Sequence, residues 1–160
     1  MAVAKTAFLK TSFVALLRGV PSDTKPVWGK MSLQQMIEHF TDAVRIASGK
    51  VSDIPLLTPV EHLEKMQAFL VSDKPFRENT LNPLVPETPA PVRNATIEKA
   101  LAELQSEIDA FFEIFTANET LTTCNPFFGD LDFNLNIHVL YKHAVHHLRQ
   151  FGITVDPSTQ

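Results

Sequence analysis

The chain has 160 residues, 44% of them hydrophobic, which suits one domain, residues 1–160, with a sizeable core and argues against disorder. The net charge of −4 and the absence of a basic stripe speak against nucleic acid as a partner. No run approaches the roughly 18 apolar residues of a membrane span, and the single cysteine, Cys124, can form no internal disulfide, which fits a reducing compartment.

Lys5 and Lys10 precede an apolar patch, Phe13 to Leu17, that Arg18 ends; it is too short for a secretory signal, so the chain reads as soluble and cytoplasmic. Leu9, Phe13, Leu16, Leu17 and Val20 recur at helical spacing and predict a first amphipathic helix from Ala4 to Gly19. A polar connection, Pro21 to Lys30, follows. It holds the sole tryptophan, Trp28, which is expected to be mostly buried and to anchor this segment.

Ser32 with Gln35 three residues later is a capping-box signal. The stripe Leu33, Met36, Ile37, Phe40, Val44 and Ala47 then predicts a second helix that stops at Gly49. His39 lies off the centre of that stripe and shares a face with Gln35 and Asp42. Asp42, one turn away, is either an acceptor that orients the His39 ring or half of an ordinary surface pair.

Thr58-Pro59-Val60-Glu61 places proline at a first helical position with glutamate at the third, predicting a short helix from Pro59 to about Val71 with a solvated His62. Ser72 to Arg93 contains five prolines and reads as an irregular loop. Such a loop either wraps or lids something or spaces two helices. From Ala95 to Ala117 the helical stripe is strong and its Phe-rich end reads as core. Asn118 to Asp130 reads as a loop, and Asp132 as the cap of a last helix running to Gln150 with Gly152 just beyond it.

On that last helix His143 and His147 are four residues apart, with His146 and Gln150 nearby on the same side. Two imidazoles at this spacing can reach one metal ion, as on zinc-protease helices, but Ala144 stands where that motif needs its glutamate. The other reading is a helix with surface or core histidines and no metal. His138 and Tyr141 point about 140° and 160° away from His143. The predicted fold class is all-α: four substantial helices, one short extra helix, a proline-rich connecting loop and no strand series.

Trp28-Gly29-Lys30-Met31-Ser32, Gln35-Met36, His39, Asn125-Pro126-Phe127-Phe128-Gly129 and His143-x-x-His146-His147-x-x-Gln150-Phe151-Gly152 together resemble the DinB/YfiT-like metalloprotein superfamily, in a branch of unassigned function. The resemblance spans roughly Phe8 to Gly152 and implies a four-helix bundle. The superfamily's usual metal site takes one histidine from the second helix and an H-x-x-x-H pair from the last, which implies His39, His143 and His147 as ligands here. His146 and Gln150 would then act as proton shuttle or orienting groups, with Asp42 and Gln35 in supporting positions. The branch often carries histidine where this chain has Asn125.

Three imidazoles leave metal positions open, and zinc, nickel or iron(II) all accept them. A ferritin-like di-iron site is excluded, because the chain has no Glu-x-x-His pair. Relatives include thiol-dependent S-transferases and a thiol-dependent isomerase. The resemblance therefore implies a metal-dependent enzyme acting on a small molecule, with a low-molecular-weight thiol as co-reactant. The competing readings are a non-catalytic metal- or ligand-binding bundle and a bundle whose histidines carry no metal. The expected partner is a small-molecule ligand, without nucleic acid or membrane; a homodimer stays open.

Overall fold

The structure is a computed structural model and describes residues 2–80 and 82–155. Helices make up more than half of it: α1 (Ala2–Ala7), α2 (Phe13–Arg18), α3 (Leu33–Ala47), α4 (Leu63–Val71), α5 (Ile97–Ala117) and α6 (Phe133–Gln150). Among the described residues no helix is long and apolar enough to cross a membrane.

α1 and α2 are one continuous rod joined by a π-helical turn, Phe8–Ser12, in which the Phe13 N–H reaches back to the Phe8 carbonyl. One extra residue in the turn changes which side chains share a face. Phe8 and Phe13, five apart, are both buried with ring centroids 6.2 Å apart. The same shift buries Val14 and turns Leu16 outward, where it is 37% exposed, so the predicted stripe is wrong at that position.

α3 forms as its sequence predicts. The Ser32 side chain accepts the Gln35 N–H at 3.2 Å, and the Gln35 side chain accepts the Ser32 N–H at 2.9 Å. Its stripe of Leu33, Met36, Ile37, Phe40, Val44 and Ala47 is buried. The helix closes with Lys50 N–H to Arg45 C=O at 3.0 Å, which uses a carbonyl the helix would otherwise leave unpaired. α3 packs on α5 and α6, α1 and α4 pack on α6, and α2 packs on α5. Arg45 of α3 bridges to Glu103 at 2.7 Å and Glu107 at 3.2 Å on α5, so these two carboxylates cross-link the helices.

Two expected segments differ. The Thr58-Pro59 signal starts no regular α-turn: Pro59 flanks a 3-10 turn, Val60–His62, and α4 begins only at Leu63. Pro59 has extended backbone, ψ 139°, and the turn has no side-chain cap. His62 is exposed. The expected loop Asn118 to Asp130 contains a small antiparallel hairpin, β1 (Thr123–Asn125) with β2 (Gly129–Leu131), pairing Thr123 with Leu131 and Asn125 with Gly129. Three-residue strands are too short to display a period of two. The hairpin is held by tertiary bonds: the Thr123 hydroxyl donates to Ala47 C=O at 2.8 Å, and Asn136 Nδ2 donates to that hydroxyl at 2.9 Å. Asn125 accepts the Phe127 N–H at 2.9 Å, a turn-closing role. Cys124 is exposed and free.

The proline-rich segment is irregular as expected; Leu81 within it lies outside the described residues. Its far end is latched onto α3 by Glu38, a carboxylate only 4% exposed. Glu38 accepts the Arg93 N–H at 2.8 Å and the Asn94 N–H at 2.9 Å. Burial works against its ionisation, but these bonds, with those from Gln34 and the Asn94 side chain, outweigh it and hold its pKa below 4.5. The stability this adds is therefore full above about 4.5 and is lost as pH falls through the lower folded-state value. Glu38→Ala should cost about 1.5–3 kcal/mol at pH 7, the scale of hydrogen bonds to a charged acceptor. Chemical denaturation at pH 7 and pH 3.5 checks this: the deficit should shrink in acid, and an equal deficit at both values would argue against the latch.

Candidate metal centre

α3 and α6 lie side by side, and their facing turns carry three histidines toward one point. His39 comes from the second turn of α3, where it is half-buried, and His143 and His147 from successive turns of α6. The candidate ligand nitrogens of the three lie within 4.8 Å of one another. His143 Nε2 sits 2.8 Å from His147 Nε2 and 3.1 Å from His39 Nε2. Nitrogens bound to a common ion at about 2.0–2.1 Å stand roughly 2.8–3.4 Å apart for angles between 90° and tetrahedral. The observed pairs are close to that range, so only small ring movements separate this arrangement from a ligand set.

The hydrogen-bond accounting points the same way. A neutral imidazole nitrogen offers either one N–H or one lone pair. His143 Nε2 faces two other ring nitrogens and can satisfy only one of them by hydrogen bonding. A cation at the centre would satisfy all three at once.

The tautomer of His147 is set by its neighbour. Its Nδ1 lies 2.8 Å from Gln150 Oε1, and the other end of that amide donates to the Trp28 carbonyl at 2.9 Å. A carbonyl only accepts, so the amide orientation follows, and Nδ1 must carry the proton. Nε2 is left as a lone pair aimed into the cluster, as an acceptor on the far ring nitrogen arranges it in metal-binding histidines. The Trp28 connection is stitched to α6 again by Val27 N–H to Gln150 C=O at 2.8 Å. Gly29 makes the approach possible: its φ is +78°, and a Cβ there would lie 2.8 Å from Gln150 Nε2. Trp28 itself is half-buried rather than mostly buried, with its ring 5.5 Å from that of His146. Its backbone anchors the segment more than its ring does.

The walls of the site are aromatic. Phe40 and Phe76 place ring centroids 5.0 Å and 6.3 Å from that of His143. Burial, then the charges of neighbouring histidines, holds His143 and His147 well below the ordinary 6.5. His39 is lowered by burial and partly restored by the Asp42 charge. All three therefore present neutral rings at pH 7, the form that binds a metal without displacing protons.

The remaining candidates are placed differently. Asp42 is held by Arg93 at 3.1 Å and by Arg45 at 3.3 Å, and among the described residues it makes no hydrogen bond to His39. It acts on that ring through charge alone, a correction to its expected orienting role. Gln35 spends one end of its amide on the α3 cap and donates with the other to Ala90 C=O at 2.8 Å, so it tethers the proline-rich loop and orients no ring. His146 lies beside His147 at 5.2 Å between centroids, with a buried Nδ1 that has no partner among the described residues.

Three residues of the site's surroundings carried no readable signal in the sequence. Phe76 reaches the histidines from a loop without periodicity, and Tyr141 and Lys142 are buried on the side of α6 that faces α1 and the loop after α4. No family model, curated protein or solved structure matches the chain.

Proposed function

We propose that the α1–α2 rod, α3, α5 and α6 form a four-helix bundle with a three-histidine metal centre, His39, His143 and His147, and that this centre serves a metal-dependent reaction on a small molecule. The observation that carries the reading is the unsatisfiable nitrogen cluster, in which His143 Nε2 meets two other ring nitrogens at 2.8 and 3.1 Å. An all-imidazole donor set suits zinc, nickel or iron(II) and leaves coordination positions free. A divalent ion held there would supply Lewis acidity, favouring the thiolate of a small thiol near neutral pH.

The chain's own residues divide the remaining work. Gln150 keeps His147 in the ligating tautomer. Phe40 and Phe76 exclude water from the histidines. His146 lines the adjoining cavity with an Nδ1 that has no partner among the described residues, and is the group that would exchange a proton with a molecule bound there. S-transfer or isomerisation is the chemistry that the resemblance to thiol-dependent enzymes brings to this site.

One observation favours the non-catalytic reading: Phe76 packs against both His143 and His146 and stands between the centre and the cavity. Metal analysis of the purified protein, followed by a thiol-transfer screen of wild type and Phe76→Ala, separates the two. The enzyme reading expects a stoichiometric ion and turnover that a chelator abolishes. A stoichiometric ion without turnover in either protein supports storage or sensing instead, and a protein that retains no divalent ion sinks both.

A further inference from the structure

A cavity of about 190 Å³ lies where α1, the segment after α4 and α6 meet, and two residues of its wall, His146 and Phe76, also touch the histidine cluster. We propose that this cavity, walled by Lys5, Tyr141, Lys142 and His146, is a subsite for the oxyanion group of a small acidic ligand, a carboxylate or a phosphate monoester.

Its polar groups are buried and short of partners. Lys5, Tyr141 and Lys142 are 7%, 5% and 9% exposed. Lysine is almost never this buried unless paired. Yet among the described residues neither lysine forms an ion pair: Lys5 Nζ contacts His138 Nδ1 at 3.2 Å, and Lys142 Nζ donates to the carbonyls of Ser72 and Lys74. An ammonium has three donors, so each lysine keeps at least one to offer.

Among the described residues the buried Tyr141 hydroxyl has no hydrogen-bond partner, and neither has His146 Nδ1. Orphaned buried polar atoms are rare in native proteins and call for a missing partner. Packing fixes the tyrosine in place: its ring meets Phe8 edge-on at 5.2 Å and lies 5.2 Å below Lys5 Nζ. Two cations and an unpartnered hydroxyl around one space form a donor set for an anion. Asp73 also lines the space, on an exposed part of the loop, and Arg149 at the other side is already bound to Glu78 at 3.3 Å. The volume is below the roughly 300–1,000 Å³ of pockets for drug-sized ligands, so it suits a charged headgroup more than a whole molecule.

As a statement about substrate class, this rests on the metal-centre reading: an acid held here would present its remainder toward His146 and the three-histidine cluster. Anion binding itself needs no metal, and that separates the two tests. Calorimetric titration at constant ionic strength with butyrate and with methyl phosphate, on metal-loaded and chelator-treated protein, should give saturable binding of at least one of them in both states. Tyr141→Phe keeps the ring and should weaken binding about tenfold or more, the equivalent of losing a hydrogen bond to a charged acceptor, with an unchanged helical spectrum. Lys5→Met is the second variant and should weaken it as much or more. Binding only to the metal-loaded protein would place the anion on the ion and overturn the subsite. So would no binding in either state, or wild-type affinity in both variants. Loss of metal retention with anion binding intact would overturn the metal centre alone.

Discussion

Zinc or nickel added to the metal-free protein at a hundredfold excess over its dissociation constant should raise the unfolding free energy by about 2.7 kcal/mol, the mass-action gain of a ligand that binds only the folded state. His143→Ala and His147→Ala should abolish that gain while keeping a helical spectrum, because the buried stripes of α3, α5 and α6 do not depend on the rings. His39→Ala should do the same. His62→Ala and His138→Ala should retain the full gain, since His62 is exposed and His138 is engaged with Lys5. Gln150→Leu is the sharper variant: it removes the acceptor that fixes the His147 tautomer and should weaken metal binding about 10–100-fold without removing a ligand. His146→Ala should keep the metal. The opposite pattern, metal lost with His146→Ala and kept with His143→Ala, would overturn the ligand assignment.

The same cluster gives the metal-free protein an acid dependence. Burial lowers the pKa of all three rings from the ordinary 6.5. Between the folded and unfolded values the unfolded chain binds more protons, so stability is full above about 6.5 and falls as pH drops toward the lowered values. A metal-free protein whose denaturation midpoint does not fall between pH 7 and pH 5 would contradict the neutral, buried state of these rings.

Phe40→Ala should destabilise the protein by about 3–5 kcal/mol, the cost of emptying a buried aromatic site. Phe40 is fully buried, with ring centroids 4.6 Å from Phe13 and 5.0 Å from His143, so it joins the first helix to the site. For a domain of this size that corresponds to a drop in melting temperature of roughly 6–20 °C. Val27→Ala, at a residue 72% exposed, is the control and should stay within about 0.5 kcal/mol of wild type. Thermal unfolding followed at 222 nm measures both. A Phe40→Ala loss no larger than that of Val27→Ala would mean that this aromatic contact does not hold α2, α3 and α6 together.

Local signals determined much of the helical framework. The capping box of α3, the stripes of α3 and α5, the Asp132 cap and the Gly152 end of α6 involve residues within a few positions of one another, and helical hydrogen bonds are themselves local. The same regularity put His143 and His147 on one face of one helix, a relation fixed by the helical period alone.

Other features depend on elements distant in sequence, and there the tertiary structure decided. His39 lies 104 residues from His143, and only the packing of α3 on α6 brings their nitrogens to 3.1 Å. Asp42 looked like a partner for His39 because it is one turn away, but Arg93, 51 residues on, takes its carboxylate. Tyr141 points about 160° away from His143 on the helix, and α1 and the loop after α4 give that other side of α6 a cavity of its own. Glu38 and Lys142 are buried against backbone groups from segments remote in sequence, which no local pattern encodes. A helix period specifies which residues share a face, but the partner met by each face is set by how the packed elements share the core.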